Sequence, residues 1–187
     1  ASKVTGENFA AEAMRRMLGV TREIVNNSLD LDYVGVKAPM FSFSRVAGAD
    51  PMLGVEMMST GEVGCLGRDL HEALQHALLA TGMRFPKNGV LLSLGPVVDK
   101  YWFADEARII VDELQLPIYA TRGTAEILVE LGMPCTAVEK GAGAGTSALD
   151  ILERGLVDLV INIPREYDQF GRPDGYLIRR HAVDLGV

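Results

Sequence analysis

The sequence has few residues of the kinds that build disulfide frameworks, metal clusters or nucleic-acid surfaces. Its 187 residues include two cysteines, three histidines and one tryptophan, and the formal net charge is −7. Because Cys65 and Cys135 lack CxxC or metal-type spacing, we predict no metal site and a reduced, cytoplasmic protein. The negative charge argues against a general nucleic-acid binder and against an anionic membrane as partner.

Long apolar runs are also missing, since no stretch approaches the roughly 18 residues that cross a membrane. The first residues, Ala1-Ser-Lys-Val, have neither an initiator Met nor the apolar segment of a signal peptide. We therefore expect the chain to be a piece of a longer protein. Hydrophobic residues still make up 48% of it, which is enough to bury a core.

The first part of the chain mixes helical patterns with irregular, glycine-rich sequence. Apolar residues recur at helical spacing in two segments, and two others are rich in strand-forming residues. We predict helices at 7–18 and 68–82 and strands at 33–43 and 62–66. These elements form an incomplete α+β segment, which we assign to residues 1–86.

The second part, residues 87–187, alternates short apolar runs with amphipathic segments. The predicted strands are 90–94, 117–120, 135–139 and 157–163, and the predicted helices are 99–115, 124–132, 147–155 and 175–186. Such alternation is typical of βαβ units, so the predicted fold class is α/β, an open doubly wound parallel sheet with helices on both faces. Trp102 is interpreted as a packing residue.

Small polar groups follow each predicted strand of this sheet. Ligands of open α/β sheets bind outside the carboxyl ends of the strands, where these groups meet. Glycine-rich backbone, helix N-termini, hydroxyls and a lysine are the groups that bind an anion. The candidate binding residues are Ser93, Thr121, Thr124, Lys140, Asn162 and the glycines Gly141, Gly143 and Gly145. No catalytic residue is predicted.

Simpler structural roles compete with this interpretation. A threonine in front of a helix commonly caps it, and a glycine after a strand commonly makes a turn. The stretch "TRGT" (121–124) is open to both interpretations. The basic run "IRRH" (178–181) is either an edge of the binding site or a solvated helix face.

Several stretches resemble the large chain of carbamoyl-phosphate synthetase. The segment "MLGVEMMSTGEV" (52–63), within residues 37–82, is similar to the end of its second ATP-grasp half. The stretches "YATRGTAEIL", "VDLVIN" and "GYLIRRHAVDLG" resemble its methylglyoxal-synthase-like regulatory domain. The resemblance covers essentially the whole chain in the order of the family.

The resemblance implies a division of roles. The family makes carbamoyl phosphate from bicarbonate, ammonia or glutamine, and two ATP, and its ATP sites hold Mg or Mn. By resemblance this chain carries none of that chemistry and no cofactor, but carries the allosteric control site. The implied partners are a small-molecule effector, the remainder of the large chain and a glutaminase small chain, with a homo-oligomer possible.

The resemblance leaves three effectors open. In microbial relatives, residues matching Ser93, Thr121, Thr124, Lys140 and Asn162 bind uridylate or inosinate. In urea-cycle relatives the site binds N-acetylglutamate, with Trp at the position of Lys140 and Asn at those of Arg165 and Gly175. Lys140 favours a nucleotide phosphate. The segment "KAPMFSF" (37–43) is more similar to the urea-cycle type. The Ile163-Pro164 pair, where the microbial pattern has threonines, argues against uridylate.

A stand-alone enzyme is the alternative. Methylglyoxal synthase has the same fold and uses an Asp as its catalytic base. By alignment that Asp falls at Gly145, which has no side chain to take a proton. The purine-pathway cyclohydrolase also shares the fold, but residues 1–82 argue against it.

Overall fold

A computed structural model describes residues 2–23, 30–43, 53, 55–141, 146–165 and 175–187. The described residues of Ala1–Ser42 and Met57–Arg84 form a first compact unit, and those of Phe43–Glu56 and Phe85–Val187 form a second. The domain boundary near residue 86 stays a prediction.

The described residues of the first unit form three helices and a two-stranded sheet. Its elements are α1 (Ser2–Thr5), α2 (Phe9–Met17), β1 (Val34–Met40), β2 (Gly61–Gly67) and α3 (Leu70–Ala80). The strands are antiparallel, with Val36 opposite Cys65. Helix α3 packs on both strands through Ala73 and Ala77, which are fully buried. Asp69 caps this helix by accepting a hydrogen bond from the Glu72 amide at 2.9 Å.

Helix α2 buries a charged side chain instead of its apolar residues. The predicted apolar positions Met14 and Met17 are exposed, whereas Glu12 is buried. Arg16 Nε donates to the Glu12 carboxylate at 2.9 Å, and Arg22 Nη2 donates to Glu7 at 3.1 Å. These arginines offset part of the cost of burying the two carboxylates, since Glu12 Oε2 accepts no hydrogen bond among the described residues. Apolar spacing alone therefore identified the helix but not its buried face.

The second unit contains a four-stranded sheet and five helices among the described residues. Its elements are β3 (Val90–Leu94), α4 (Val97–Trp102), α5 (Ala104–Asp112), β4 (Ile118–Thr121), α6 (Arg122–Glu130), β5 (Thr136–Val138), α7 (Ala148–Glu153), β6 (Leu159–Ile163) and α8 (Tyr176–Leu185). All four strands are parallel, in the order β5-β4-β3-β6. The chain adds strands on one side of β3 and then crosses to the other, so the switch point lies between β3 and β6.

Two hydrophobic cores cover the two faces of this sheet. Along β3, Val90 and Leu92 belong to a core with residues of α5 and α6, whereas Leu91 belongs to one with residues of α7 and α8. This alternation is the period-2 pattern of a strand buried on both faces. The predicted α/β class with a doubly wound parallel sheet is confirmed.

The predicted helix 99–115 is wrong in its extent. Two helices, α4 and α5, replace it, and Phe103 between them leaves helical geometry with a ψ of 0°. The Phe103 side chain packs against the core, so the apolar spacing continues through the break and hides it. The assignment of Trp102 to packing is also wrong, because this side chain at the end of α4 is 78% exposed.

Helices are short in the part of the chain that the structure describes, where α3 has 11 residues and α8 has 10. None of them is long and apolar enough to cross a membrane.

Candidate anion-binding site

The candidate residues lie at the carboxyl edge of the parallel sheet. Ser93 and Asn162 are register neighbours at the ends of β3 and β6, on either side of the switch point. Thr121 ends β4, Thr124 lies in the first turn of α6, and Lys140 follows β5. The sequence therefore placed all five residues at one edge. Their assignment as effector contacts stays a prediction.

Thr124 joins helix α6 to strand β3. Its side chain is fully buried, and its hydroxyl donates to the carbonyl oxygen of Leu94 and accepts from the Leu94 amide, both at 3.1 Å. Since a hydroxyl has one proton to donate, that proton is used within the protein. Thr124 therefore holds the loop after β3 against α6, and its contribution to a ligand would be through this positioning.

Thr121 occupies the N-cap position of α6 without acting as a cap. Its backbone is extended, and its side chain makes no capping hydrogen bond to the first turn among the described residues. The hydroxyl instead lies 3.4 Å from Thr124 Oγ1. The capping interpretation of "TRGT" therefore does not explain Thr121. The amides of the first turn of α6, which carry a partial positive charge, lie beside it.

Asn162 connects three elements of the second unit. Its Nδ2 donates to the backbone oxygen of Ser93 at 2.9 Å, which brings together these two candidate residues. Its Oδ1 accepts a hydrogen bond from Arg179 of α8. Gly175 lies against the same amide, since a Cβ atom there would approach Nδ2 to 2.7 Å.

Lys100 is a further residue of this edge, which the sequence interpretation missed. It lies on α4, is only 9% exposed, and its Nζ donates to the carbonyl oxygen of Gly123 at 2.8 Å. Burial lowers the pKa of its ammonium group, and the charges of Arg165 and Lys140 lower it further. The sequence pattern could have revealed its burial. Lys100 precedes Phe103 and Ala107 at helical spacing, so it occupies a core-facing position.

Backbone hydrogen bonds join the two ends of the connection between β5 and α7. Glu139 forms a parallel bridge with Ser147, and its backbone bonds Thr146 and Ala148. Lys140 is exposed at the start of this connection, followed by Gly141. The other predicted glycines, Gly143 and Gly145, lie outside the described residues. Arg122 reaches the Glu139 carboxylate at 2.7 Å and so links the α6 N-terminus to this connection.

The "IRRH" run is not a uniformly solvated helix face, because Ile178 is buried and the Arg180 side chain is only 11% exposed. Arg179 bonds Asn162 at the sheet edge, whereas Arg180 pairs with Asp184 along α8. His181 Nε2 lies 3.0 Å from a carboxylate oxygen of Glu153 on α7. Among the contacts of the described residues, the one that joins this run to the candidate site is made by Arg179.

The charges of this edge suit the binding of an anion. Lys100 on α4, Lys140 after β5 and Arg165 after β6 lie close enough for the last two to lower the pKa of Lys100, whereas Glu126 on α6 raises it. The first turn of α6 adds backbone N–H groups. Among the described residues, no group of three His, Cys, Asp or Glu side chains is placed to hold a metal ion.

Comparison with known proteins places this fold in a family. Residues 107–187 match the family described as the MGS-like domain. The chain is 42% identical to the multifunctional protein pyrABCN of Emericella nidulans over 98% of its own length and 8% of that protein. It is 36% identical to the mitochondrial carbamoyl-phosphate synthase [ammonia] of Aquarana catesbeiana, over all of its own length and 13% of that protein. With the multifunctional protein CAD of Squalus acanthias the identity is 37%, over all of this chain and 9% of the relative.

The parallel α/β sheet and the match over residues 107–187 define an MGS-like domain. Because whole-chain similarity extends to the synthases and multifunctional proteins, the chain belongs to the carbamoyl-phosphate synthase family. The resemblance recognised in the sequence is thereby confirmed. The chain spans about a tenth of the length of these relatives, 8% to 13% in the three cases.

Proposed function

We propose that the second unit is the effector-binding part of a carbamoyl-phosphate synthase and takes a small anion at the carboxyl edge of its sheet. The observation that carries this proposal is Lys100, a buried ammonium group whose pKa is lowered by burial and by Arg165 and Lys140. Its Nζ contacts a backbone carbonyl oxygen, that of Gly123.

This arrangement is unfavourable in the absence of an anion. Burying a cation costs free energy that one neutral hydrogen bond compensates only in part, and the like charges of Arg165 and Lys140 add to the cost, whereas Glu126 acts in the opposite direction. An anion beside Lys100, Lys140 and Arg165 would offset both the cost of burial and the repulsion between the cations. Clusters of ionisable groups with shifted pKa values are characteristic of functional sites. The burial of the Lys100 ammonium group is therefore better explained by binding than by stability.

The effector carries a phosphate or a carboxylate. Three candidates follow from the family resemblance, namely uridylate, inosinate and N-acetylglutamate. Three cationic side chains and a helix N-terminus favour a phosphate dianion among them, since each added charge interacts with every cation of the cluster. A nucleotide effector is therefore the first choice.

The activity of the whole protein is proposed from its relatives. It is a ligase that makes carbamoyl phosphate from bicarbonate, ammonia or glutamine, and ATP, with Mg or Mn at its ATP sites. This chain is the non-catalytic, allosteric part, working in the cytoplasm with the rest of the large chain and a glutaminase chain. The relatives named carbamoyl-phosphate synthase and multifunctional protein support the proposal.

Regulation follows from differential affinity. An effector that binds one conformation of the synthase better shifts the population toward it, with a coupling free energy of about 1–3 kcal/mol. The effector would act through Lys100 on α4, Thr121 at the end of β4 and Asn162 on β6. These residues lie in or after three different strands, so one ligand contacts several parts of the sheet.

Thermal unfolding of the chain with single ligands tests this function. Uridylate, inosinate, N-acetylglutamate and inorganic phosphate are each added at increasing concentration. A ligand at 100 times its dissociation constant stabilises by about 2.7 kcal/mol, which raises the melting temperature by roughly 5–10 °C for a chain of this size. The variants Lys100→Met and Lys140→Ala are expected to abolish the shift.

Lys87→Met is the matched control, because Lys87 is an exposed lysine just before β3, at the amino edge of the sheet. Its shift is expected to equal that of the wild type. A wild-type chain with no shift for any of the four ligands contradicts the proposed function. A shift with N-acetylglutamate alone would retain an anion site and reject the nucleotide.

A further inference from the structure

The two ends of the Asn162 side-chain amide face chemically different partners. Nδ2 donates to the backbone carbonyl oxygen of Ser93 at 2.9 Å, and Oδ1 accepts from the guanidinium group of Arg179. A backbone carbonyl oxygen can only accept a hydrogen bond, and a guanidinium group can only donate. The partners therefore dictate the orientation of the amide.

The reversed orientation would be strongly unfavourable. It would place the amide NH₂ group against the Arg179 cation and the amide oxygen against the Ser93 carbonyl oxygen. Two donors and two acceptors would then face each other, so both hydrogen bonds would be lost at a partly buried site. Without Arg179, only the single bond to Ser93 would distinguish the two orientations.

The first turn of α8 is shaped around this amide. Gly175 precedes the helix with a φ of 79°, and a Cβ atom there would lie 2.7 Å from Nδ2 and 2.8 Å from Oδ1 of Asn162. Arg179 lies one turn later, and its amide donates to the Gly175 carbonyl oxygen at 3.0 Å. One helical turn thus supplies both the space for the amide and the cation that orients it.

We propose that Arg179 is a positioning residue that holds Asn162 with its NH₂ group at the carboxyl edge of the sheet, as a donor to the bound anion. The proposal rests on the proposed function. One N–H of this group bonds Ser93, and the other donates to a phosphate or carboxylate oxygen. Asn162 then selects for ligands that present acceptors and against ligands that present an ammonium group.

Three variants of α8 test the proposal in the intact chain. Arg179→Met removes the donor to Oδ1 and keeps an unbranched side chain, and Arg179→Lys keeps a cationic donor. Arg180→Met is the matched control, because Arg180 pairs with Asp184 on the same helix. All three remove or alter one arginine, and the described hydrogen bond to Asn162 comes from Arg179.

The first readout is the pair of Nδ2 proton signals of Asn162 in ¹H–¹⁵N NMR spectra of the ligand-free chain. We expect Arg179→Met to shift or broaden these signals, Arg179→Lys to preserve them in part, and Arg180→Met to leave them unchanged. A loss of packing alone would not follow this order. Unchanged signals in Arg179→Met, or equal changes in Arg180→Met, would overturn the positioning role.

The second readout is the affinity for inorganic phosphate, measured by calorimetric titration. Arg179→Met is expected to weaken it about tenfold, Arg179→Lys less, and Arg180→Met by less than about twofold. If Arg179→Met changes the amide signals but binds phosphate as tightly as the wild type, Asn162 is not a donor to the anion. If the wild type binds no phosphate, the proposed function and the donor role both fail, while the amide signals still decide whether Arg179 orients Asn162.

Discussion

The hydroxyl of Thr124 and the backbone of Leu94 form a reciprocal pair of hydrogen bonds. Thr124 Oγ1 donates to the Leu94 carbonyl oxygen and accepts from the Leu94 amide, each at 3.1 Å. The two residues are 30 positions apart in the sequence, and both are buried. This contact fixes the distance between the end of β3 and the first turn of α6, the two elements that form the centre of the candidate site.

Thr124→Val is expected to destabilise the second unit by about 1–3 kcal/mol. Valine has the shape of threonine, but it leaves a buried N–H and a buried carbonyl oxygen of Leu94 without their partner. Urea denaturation would measure this loss as a lower midpoint. Thr136→Val, at an exposed position of β5, is the control and is expected to cause no loss. Equal midpoints for both variants would contradict the role assigned to Thr124.

Asp158 gives the chain a pH-dependent stability. Burial raises the pKa of its carboxyl group, but hydrogen bonds from the amides of Lys87, Asn88 and Gly89 together lower it by more. Because the folded pKa lies below the unfolded value of about 3.9, the carboxylate stabilises the fold above that pH. This contribution is lost as the pH falls through the folded pKa.

Asp158→Asn is therefore expected to cost about 1–2 kcal/mol at pH 7 and progressively less below pH 4. Urea midpoints measured from pH 7 down to pH 2 would show the two proteins converging. Asp112→Asn, an exposed carboxylate at the end of α5, is the control. A constant difference between Asp158→Asn and the wild type at every pH would argue against this linkage.

Gly175→Ala tests the space around Asn162. Gly155 is a matched glycine, since both residues have positive φ, 79° and 63°, but a Cβ atom at Gly155 meets nothing within 4 Å. Gly155→Ala is expected to cost roughly 1–2 kcal/mol for its left-handed backbone. Gly175→Ala should cost at least about 1 kcal/mol more, because its Cβ overlaps the Asn162 amide. Denaturation midpoints compare the two, and equal losses would show that the amide moves aside freely.

Ser147 and Asp150 form a capping box at the start of α7. The Ser147 hydroxyl accepts from the Asp150 amide at 3.1 Å, and the Asp150 carboxylate accepts from the Ser147 amide at 3.0 Å. Ser147→Ala is expected to cost about 1 kcal/mol. A double-mutant cycle with Asp150→Ala measures whether the two bonds support each other. Losses that add to within about 0.3 kcal/mol would mean that the two caps act independently.

Local patterns in the sequence were sufficient for the order of the elements and for the parallel sheet. Alternation of apolar runs with amphipathic segments defines βαβ units, and the carboxyl ends of parallel strands must share an edge. For that reason the sequence alone was enough to place Ser93, Thr121, Thr124, Lys140 and Asn162 at one edge. The break at Phe103 escaped detection because the apolar spacing continues across it.

The chemistry of individual side chains was decided by tertiary structure. Lys100 is buried against Gly123, the Thr124 hydroxyl is bonded to Leu94, and Arg179 rather than Arg180 bonds Asn162. Each of these contacts joins residues that lie 17 to 30 positions apart, on different elements. Spacing along a chain indicates a helix, but not which polar atom of another element meets it, and in α2 not even which face is buried. The sequence thus determined which residues share the edge of the sheet, and the packing of the helices determined which of their atoms are already bonded within the protein.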